Sequence, residues 1–513
     1  MPEVFLSAPL DLLSRADASR KVATGKLKVE TKSIFGQFMT PASVASFMAA
    51  LFPATSRRDD IKLLDPGAGV GSLTSAFIEH LCQNRSTGQI EVDTYEIDQV
   101  MQPYLENNLE LCKTTAAENG RPLAWRIFKE DFIIEASRKI ASLNSLWAEN
   151  TRQYTHCIMN PPYKKISSSS RHRICLRAAG IETVNLYSAF VALSLPLLED
   201  GGYLVAIIPR SFCNGPYYRP FREFILKHSA VRRIHLFGSR NKAFRDDKVL
   251  QENIIVVCEK GGRQEDVAIS TSTDDSFSDI SLSRYPFKQI VREGDRELFI
   301  HIPTSADADS LDASEAVSST ISDLGIQVST GPVVDFRMKE HLRDMPENGT
   351  VPLLYPCHFK GQSIQWPIEG GKKPNAIVSN RDTRKWLYPN GFYTVVRRFS
   401  SKEEKRRIVA SVVDPAVFGE AEDLGLENHL NLFHDSKKPL PEALARGLAV
   451  FLNSTAVDDN FRRFSGHTQV NATDLKRMKY PNRKALIELG EWAMTQGEVT
   501  QDMIDEEIKR ITA

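Results

Sequence analysis

Apolar and polar residues alternate between positions 60 and 260 in a pattern that predicts strands connected by amphipathic helices. Short apolar runs such as IKLLD (61–65) and YTHCIM (154–159) are followed by longer stretches with helical periodicity, such as SLTSAFIEHLCQN after Gly71. This repeated order is typical of an α/β sheet with helical crossovers. We predict strands at 61–65, 92–97, 125–128, 154–159, 201–210, 231–237 and 253–260.

The alternation of apolar and polar residues changes after position 260. Residues 260–320 are polar, rich in Ser and Asp and weakly periodic, so we expect a connecting region that is partly a mobile surface segment. Beyond 320, aromatic and basic residues interleave, as in RKWLYPNGFYTVVRRF (384–399), which predicts a second, mixed α+β domain. The expected domains are an N-terminal extension (1–30), an α/β domain (31–300) and a C-terminal domain (301–513).

Composition narrows the class of protein. The 513 residues carry no net charge and are 42% hydrophobic and 25% charged, which is ordinary for a globular protein. No apolar stretch approaches the roughly 18 to 20 residues that span a membrane, and the N-terminus resembles no targeting peptide. Seven scattered cysteines without a C-x-x-C pair indicate a cytoplasmic protein without a structural metal or disulfide framework.

A glycine-rich turn, DPGAGVG (65–71), separates the first predicted strand from its helix. Glycine lets the backbone turn sharply and approach a ligand, and a helix start offers free N–H groups. The turn lacks the G-x-G-x-x-G spacing of dinucleotide sites, so alone it is equally well explained as a structural turn. Glu96 ends the second strand, where an acid accepts hydrogen bonds from ribose hydroxyls. The two features together predict a nucleoside-bearing cofactor.

Asp131 and Phe132 end the third predicted strand and suit an adenine ring by hydrogen bonding and stacking. The alternative for Asp131 is a helix N-cap before IIEASRKI, and the sequence leaves both open.

The sequence NPPY (160–163) directly follows the fourth predicted strand. Pro161 cannot donate a hydrogen bond, so the corner offers carbonyl acceptors beside the side-chain oxygen of Asn160. Two acceptors suit one NH₂ group, and Tyr163 supplies a flat face for a planar base. A surface Asx–Pro turn is the alternative, but it fits poorly after a buried strand.

The order DPGAGVGSL, YEID, EDF and NPPY resembles the S-adenosylmethionine-dependent adenine-N6 DNA methyltransferases of restriction–modification systems. FGQFMTP (35–41), which precedes the glycine loop, looks like this family's other cofactor motif, and that arrangement is similar to the gamma order. The resemblance implies a Rossmann-like methyltransferase domain with a mixed seven-stranded sheet, followed by a target-recognition domain. The overall pattern is most similar to the PstI/BsuBI-type subgroup, which implies a short palindromic site with a CTGCAG-like core.

The resemblance also implies roles for individual residues. For S-adenosylmethionine these are Gln37, Phe38, Thr40 and Pro41 at the methionine end, Asp65, Gly67, Ala68 and Gly69 in the loop, Glu96 at the ribose, and Ile97, Asp131 and Phe132 at the adenine. Asn160 and Pro161 would bind the target amino group at the edge of the cofactor site, and Tyr163 would stack on the extruded base. Phe244 would pack on the other side of that base.

Double-stranded DNA is the implied partner, and a restriction endonuclease is the implied functional counterpart. The basic run KKISSSSRHRICLR (164–177) follows NPPY and is expected at the DNA, with Lys164, Lys165 and Arg171 as contacts, together with Lys248. In the C-terminal domain the expected phosphate contacts are Arg397, Arg398, Lys405, Arg406 and Arg462. We expect a monomer, with a dimer as the alternative.

The resemblance implies methyl transfer without a metal, in which hydrogen bonds to Asn160 and Pro161 activate the amine of a flipped-out adenine. Three alternatives remain open at this point. NPPY also occurs in enzymes that methylate glutamine amides or RNA; a non-catalytic DNA-specificity subunit could keep the fold; and the chain could be a fused restriction–modification enzyme. The large Arg- and aromatic-rich C-terminal domain favours duplex DNA.

Overall fold

The computed structural model describes residues 11–26, 39–54, 60–83, 88–143, 153–238, 252–303, 316–361, 363–400, 404–464 and 469–512. The chain divides into two compact units, Met1–Thr304 and Ser305–Ala513. No helix among the described residues is long and apolar enough to cross a membrane.

The described strands of the first unit form one nine-stranded sheet in the order β3-β2-β1-β4-β5-β7-β6-β8-β9. Strands β1 to β5 run parallel to one another, and β7 runs antiparallel between β5 and β6. The strands are β1 (Ile61–Pro66), β2 (Ile90–Tyr95), β3 (Leu123–Phe128), β4 (Tyr154–Met159), β5 (Leu198–Pro209), β6 (Ser229–Phe237), β7 (Asn253–Lys260), β8 (Val267–Ser272) and β9 (Ser281–Tyr285).

The sheet thus has two more strands than predicted, and the expectation of a connecting, partly mobile segment over 260–320 is wrong for β8 and β9. Strand β9 forms the sheet edge, where it is largely exposed and lacks a strong apolar signal, and β8 lies between β6 and β9. In β8 the buried polar residues Ser270 and Ser272 contact the ring nitrogens of His235, at 3.0 and 3.2 Å. A run that looks polar in the sequence is therefore buried through hydrogen bonds.

Helices cover the sheet as the crossover pattern predicts. Apolar strand residues and helix faces form two cores, around Leu64, Cys157 and Leu204 and around Leu63, Phe77 and Ile158. The helices are α1 (Leu12–Lys26), α2 (Ala42–Ala50), α3 (Ser72–Gln83), α4 (Gln102–Glu118), α5 (Phe132–Leu143), α6 (Arg171–Ala178), α7 (Leu186–Leu197), α8 (Arg219–His228) and α9 (Phe287–Ile290).

Helix α1 lies in the stretch expected to be an N-terminal extension, and it packs on this unit. Leu12 is buried in one of the two cores, and the Leu13 N–H donates to the Glu79 carboxylate at 2.9 Å.

The second unit is mixed α+β over its described residues. One sheet has the order β10-β20-β17-β18 and another β11-β15-β12-β19-β16, with β13 and β14 as a separate pair. The strands are β10 (Gln327–Thr330), β11 (Leu342–Arg343), β12 (Thr350–Leu354), β13 (Phe359–Lys360), β14 (Ser363–Ile364), β15 (Ala376–Val378), β16 (Leu387–Pro389), β17 (Tyr393–Arg397), β18 (Ala410–Val413), β19 (Asp423–Leu426) and β20 (Leu430–His434). The helices are α10 (Glu442–Leu452), α11 (Thr455–Phe464), α12 (Ala472–Arg477), α13 (Arg483–Thr495) and α14 (Gln501–Thr512).

Helices α10 and α13 cross at a pair of glycines. A Cβ added at Gly490 would lie 1.7 Å from the Ala443 carbonyl oxygen, and one at Gly447 would lie 1.7 Å from the Leu486 carbonyl oxygen. The close approach of the two helices therefore depends on both residues lacking a side chain.

We expect Gly490→Ala to lower the unfolding free energy of the protein by about 1–3 kcal/mol, measured by denaturant titration. Alanine gains about 1 kcal/mol in helix propensity, but the backbone overlap outweighs that gain. Gly497→Ala is the control because no atom lies within 4 Å of its added Cβ. Equal stability of the two variants would contradict the close-packing argument.

Candidate active site

A cavity of about 510 Å³ lies at the carboxyl ends of the central strands of the first unit. Open α/β sheets bind their ligands at this edge, and the size suits a nucleoside-sized molecule. Its walls come from the glycine loop after β1, the residues after β2 and β3, the NPPY corner after β4, and the segment 164–172.

The cavity brings together most of the residues predicted for the cofactor. On its wall are Thr40, Gly67, Ala68, Gly69, Glu96, Ile97, Asp131, Phe132 and Asn160, with Lys164 and Lys165. The lining does not include Pro41, Asp65, Pro161 or Tyr163, but it does include Pro162. Arg171 is exposed beside it. Gln37, Phe38, Phe244 and Lys248 lie outside the described residues.

The glycine loop directs its N–H groups at protein acceptors. The Gly67 and Ala68 N–H groups both donate to the Tyr95 carbonyl, at 2.9 and 3.0 Å, and Gly71 donates to the Ala68 carbonyl at 2.8 Å. The Gly69 N–H donates to the Glu96 carboxylate at 2.8 Å. Because these donors already have partners, the loop is not arranged to cradle phosphates.

The buried Asp65 side chain accepts hydrogen bonds from the first turn of helix α3. Its Oδ2 accepts from the Thr74 hydroxyl at 2.7 Å, and the Thr74 backbone N–H also donates to this carboxyl group. Its Oδ1 is buried and has no hydrogen-bond partner among the described residues. Burial raises the pKa of Asp65 to about 7; the Thr74 hydrogen bonds oppose that rise, and the nearby charge of Glu96 adds to it.

Glu96 stands at the end of β2 with both oxygens held by backbone N–H groups. Besides Gly69, the Asp98 N–H donates to it at 2.7 Å. Burial raises the pKa of Glu96 to about 7 against these bonds. A carboxylate has about four lone-pair sites, so Glu96 can still accept from ligand hydroxyls. Next to it, Ile97 is 45% exposed and presents an apolar face to the cavity.

Asp131 has the N-cap role that the sequence left open, and a second contact as well. Its Oδ1 accepts from the Ile134 N–H at 3.2 Å, and its Oδ2 lies 2.8 Å from His172 Nε2. Burial alone would raise the pKa of Asp131, but the hydrogen bond and charge of His172 and the backbone N–H groups lower it overall. His172 belongs to α6, so this contact joins the basic segment to the predicted adenine side of the cavity.

Asn160 is fixed between two hydroxyl groups. Its Nδ2 donates to Thr40 Oγ1 at 3.0 Å, and its Oδ1 accepts from the Tyr163 hydroxyl at 2.9 Å. The same hydroxyl lies 3.1 Å from the Ile207 carbonyl. No donor among the described residues reaches the Pro161 carbonyl.

The basic segment 164–177 separates into two groups of cations. Arg173 and Arg177 both pair with Glu182, Arg177 at 3.3 Å, and Arg173 is buried. Lys164, Lys165 and Arg171 are exposed. Hydrogen bonds from Ile166 N–H to the Val184 carbonyl and from Leu186 N–H to the Lys164 carbonyl, each 2.8 Å, hold the segment beside the cavity.

The arginines expected at DNA in the second unit make several internal contacts. Arg397 pairs with Glu404, Arg406 donates to the Ser454 carbonyl, and Arg462 pairs with Asp458 at 2.7 Å. Arg398 makes longer contacts to the Asn428 carbonyl at 3.2 Å and to Gln469 Oε1 at 3.4 Å. Lys405 is exposed. The DNA contacts expected for these residues remain predictions.

Several cavity residues carry no signal in the sequence. Met39, Tyr95, Met101 and Phe190 line the cavity but resemble ordinary core residues, and His172 lies within a basic run that suggests solvent exposure. The contact between His172 and Asp131 joins residues 41 positions apart, so only the folded chain reveals it.

Comparison with known proteins places the chain in a family. Residues 37–244 match the family model described as Eco57I restriction-modification methylase. The chain is 51% identical to type II methyltransferase M.BsuBI of Bacillus subtilis over 98% of each chain, and 43% identical to type II methyltransferase M.PstI of Providencia stuartii over 99% of each. It belongs to the type II restriction–modification methyltransferases.

The relatives confirm the predicted similarity of this methyltransferase to the PstI/BsuBI-type subgroup. Among solved structures, the type IIL restriction-modification enzyme MmeI, determined in complex with DNA, shares the fold with a TM-score of 0.52 at 10% identity. That likeness covers 98% of this chain and 72% of MmeI.

The raised pKa values predict how the stability of this methyltransferase depends on pH. Below about pH 4 the Asp65 carboxyl is protonated in both folded and unfolded states. Between pH 4 and 7 the folded state keeps a proton that the unfolded state has released, so stability falls as pH rises through this window. Glu96 acts in the same direction.

Asp65→Asn removes one of these two contributions. We expect its unfolding free energy, relative to wild type without cofactor, to increase by a few kcal/mol between about pH 4 and 7 and then level off. Denaturant titrations at several pH values measure this difference. Glu110→Gln on the exposed face of α4 is the control, and a difference that stays constant with pH for Asp65→Asn would contradict the argument.

Proposed function

We propose that this chain transfers a methyl group from S-adenosylmethionine to N6 of an adenine flipped out of duplex DNA, and so protects its site from a cognate restriction endonuclease. The observation that carries the proposal is the position of Asn160. It faces the cavity that contains Glu96 and the glycine loop, and it is followed by the Pro161 carbonyl, which no described donor reaches. An amine acceptor and a nucleoside site therefore share one cavity.

The chemistry of the cavity fits S-adenosylmethionine better than a phosphate-bearing cofactor. The N–H groups of Gly67, Ala68, Gly69 and Gly71 are already bonded within the protein, and a side-chain carboxyl accepts from the first turn of α3. S-adenosylmethionine has ribose hydroxyls for Glu96, an adenine ring for Ile97 and Phe132, and no phosphate. When bound, it supplies an electrophilic methyl group on a sulfonium.

The residues of the chain would act by positioning and electrostatics. The Asn160 oxygen and the Pro161 carbonyl would accept hydrogen bonds from the two N6 hydrogens and favour a pyramidal nitrogen with an available lone pair. That pair forms the new nitrogen–carbon bond, the pair of the broken carbon–sulfur bond stays on sulfur, and one amine proton is released to solvent. Thr40 and Tyr163 would keep the Asn160 amide in the required orientation.

Access to this corner requires the base to leave the DNA stack, at a cost of a few kcal/mol. The Tyr163 ring would offset part of that cost by stacking. Lys164, Lys165 and Arg171, exposed beside the cavity, would contact phosphates of the target strand. We propose a monomer acting on palindromic duplex DNA, with the CTGCAG-like site as the first sequence to test.

Substitutions at the corner test the activity. We expect Asn160→Ala to abolish N6-methyladenine in DNA from expressing cells, with S-adenosylmethionine binding retained. We expect Tyr163→Phe, which keeps the ring but removes one hydrogen bond to the Asn160 amide, to lower kcat by about 10-fold, near the loss of one hydrogen bond, with little change in KM for DNA. Modification mapping and steady-state kinetics give these quantities.

Persistent methylation in Asn160→Ala, or the absence of methylated adenine with the wild-type protein, would refute the proposed reaction. Methylation found on RNA or protein instead of DNA would refute the proposed substrate.

Substitution of the exposed cations beside the cavity tests whether they contact DNA phosphates. We expect the triple change of Lys164, Lys165 and Arg171 to Ala to weaken duplex binding and to reduce the slope of log K against log salt by up to about 2.7. Removing Lys113, Lys227 and Lys288, exposed elsewhere on the unit, gives a control with the same charge change. Equal slopes for the two triple variants would show that the predicted segment makes no phosphate contact.

A further inference from the structure

One end of the β10-β20-β17-β18 sheet carries a set of loops that pack on one another. They are the turn after β10 (331–337), the turn after β17 (398–400), the turn before β20 (427–429) and the segment at 469–470, and we call them the sheet-end loops. Asn428 N–H donates to the Val333 carbonyl at 2.9 Å, Arg398 N–H to the His429 carbonyl at 2.8 Å, and Val470 N–H to the Arg398 carbonyl at 2.7 Å.

A fully buried carboxylate supports the centre of these loops. Glu427 is 0% exposed, and its two oxygens accept from the His429 backbone N–H at 2.9 Å and contact His429 Nδ1 at 2.6 Å. Gly331 packs so closely that an added Cβ would lie 2.2 Å from the Glu427 carbonyl oxygen. A buried carboxylate is costly unless it is well partnered, so its role as partner to His429 calls for an explanation.

The effect of Glu427 is to orient the His429 ring. With Nδ1 bound to the carboxylate, Nε2 is the nitrogen directed away from it, and no described residue makes a hydrogen bond to Nε2. The side chain is 38% exposed. A histidine held in this way presents one hydrogen-bonding group in a fixed direction at the surface, which is the requirement for reading a ligand edge.

One exposed aromatic ring packs against this histidine, and a second belongs to the same set of loops. Phe399 is 45% exposed, and its ring centroid lies 4.8 Å from that of His429. Phe336 is 64% exposed, and the Arg337 guanidinium lies 5.4 Å from its ring centre. Phenylalanines held at the surface on braced loops are typical of binding surfaces.

The charges around the rings indicate a polyanionic partner. Arg337 and Lys373 are exposed, and the contacts of the Arg398 guanidinium to described residues are 3.2 and 3.4 Å long. The nearby acid Asp335 is bound by Lys373 at 2.8 Å, and Glu427 is buried. Cations beside exposed rings suit the phosphates, sugars and bases of DNA.

We propose that the sheet-end loops form a DNA-contacting surface in which His429, oriented by Glu427 and supported by Phe399, hydrogen-bonds a base edge, while Arg337 and Arg398 contact phosphates. This inference rests on the proposed DNA methylation and names residues that determine its site specificity. Glu427 is a positioning residue, since it acts only through His429.

The test uses the full-length protein and begins with the site that the wild type methylates, mapped from DNA of expressing cells. Equilibrium binding is then measured on that duplex and on duplexes that each differ from it by one base pair. We expect His429→Ala to weaken binding of the mapped site by at least about 10-fold while leaving one of the altered duplexes nearly unaffected, so that discrimination at one base pair is lost. Phe399→Ala should reduce discrimination at the same base pair.

Arg337→Ala should instead weaken binding of every duplex by a similar factor and lower the salt slope by about 1. Met494→Ala, which truncates an exposed side chain on α13, is the control for Phe399→Ala, and Lys484→Ala, on the same helix, is the control for Arg337→Ala. Unchanged S-adenosylmethionine binding and melting temperature show that each variant is folded.

Three results separate this inference from the proposed function. Absence of DNA modification by the wild type overturns both. With an active wild type, His429→Ala binding that stays within twofold on every duplex overturns the surface. A uniform loss across all duplexes assigns His429 to a phosphate and overturns the base contact.

Discussion

The active site depends on how the backbone N–H groups at the end of β1 are satisfied. A strand-to-helix turn leaves donors that must be paired or solvated, and here the Tyr95 carbonyl, the Glu96 carboxylate and the Asp65 carboxyl accept from the turn and the first turn of α3. That pairing ties the glycine loop to the ends of β1 and β2. It also places two buried carboxyl groups at one edge of the sheet, and burial raises the pKa of each.

The first unit could be predicted well from the sequence because its signals are local. Parallel strands buried on both faces appear as short apolar runs, and ligand-binding residues follow them directly, so strand ends and motif residues converge once the sheet forms. Strand β9 was not predicted because it is largely exposed and lacks an apolar run, and β8 was not predicted because it is rich in polar residues, of which Ser270 and Ser272 are buried against His235. His172 was not predicted as a site residue either, because it contacts Asp131 only in the folded chain and the spacing of the two residues gives no sign of that contact.

The second unit shows why interleaved aromatic and basic residues are an ambiguous signal. The sequence predicts cations for Arg397, Arg406 and Arg462, but it does not indicate which partners they have. In the folded chain these three arginines contact Glu404, the Ser454 carbonyl and Asp458. The sequence does not predict a role for His429, because its orientation comes from the buried Glu427 and from the ring of Phe399 at the end of another strand. Partners, rather than charge alone, decide which side chains are presented to a ligand.

The proline corner after β4 has a consequence for which bases it excludes. Asn160 Nδ2 donates to Thr40 at 3.0 Å, and in the proposed reaction the Asn160 oxygen and the Pro161 carbonyl would face the base. A base with a carbonyl at that edge, such as hypoxanthine or guanine, would then bring oxygen against oxygen, and the two would repel each other. Selectivity at this corner would then come from rejection of the wrong base as much as from attraction of the right one.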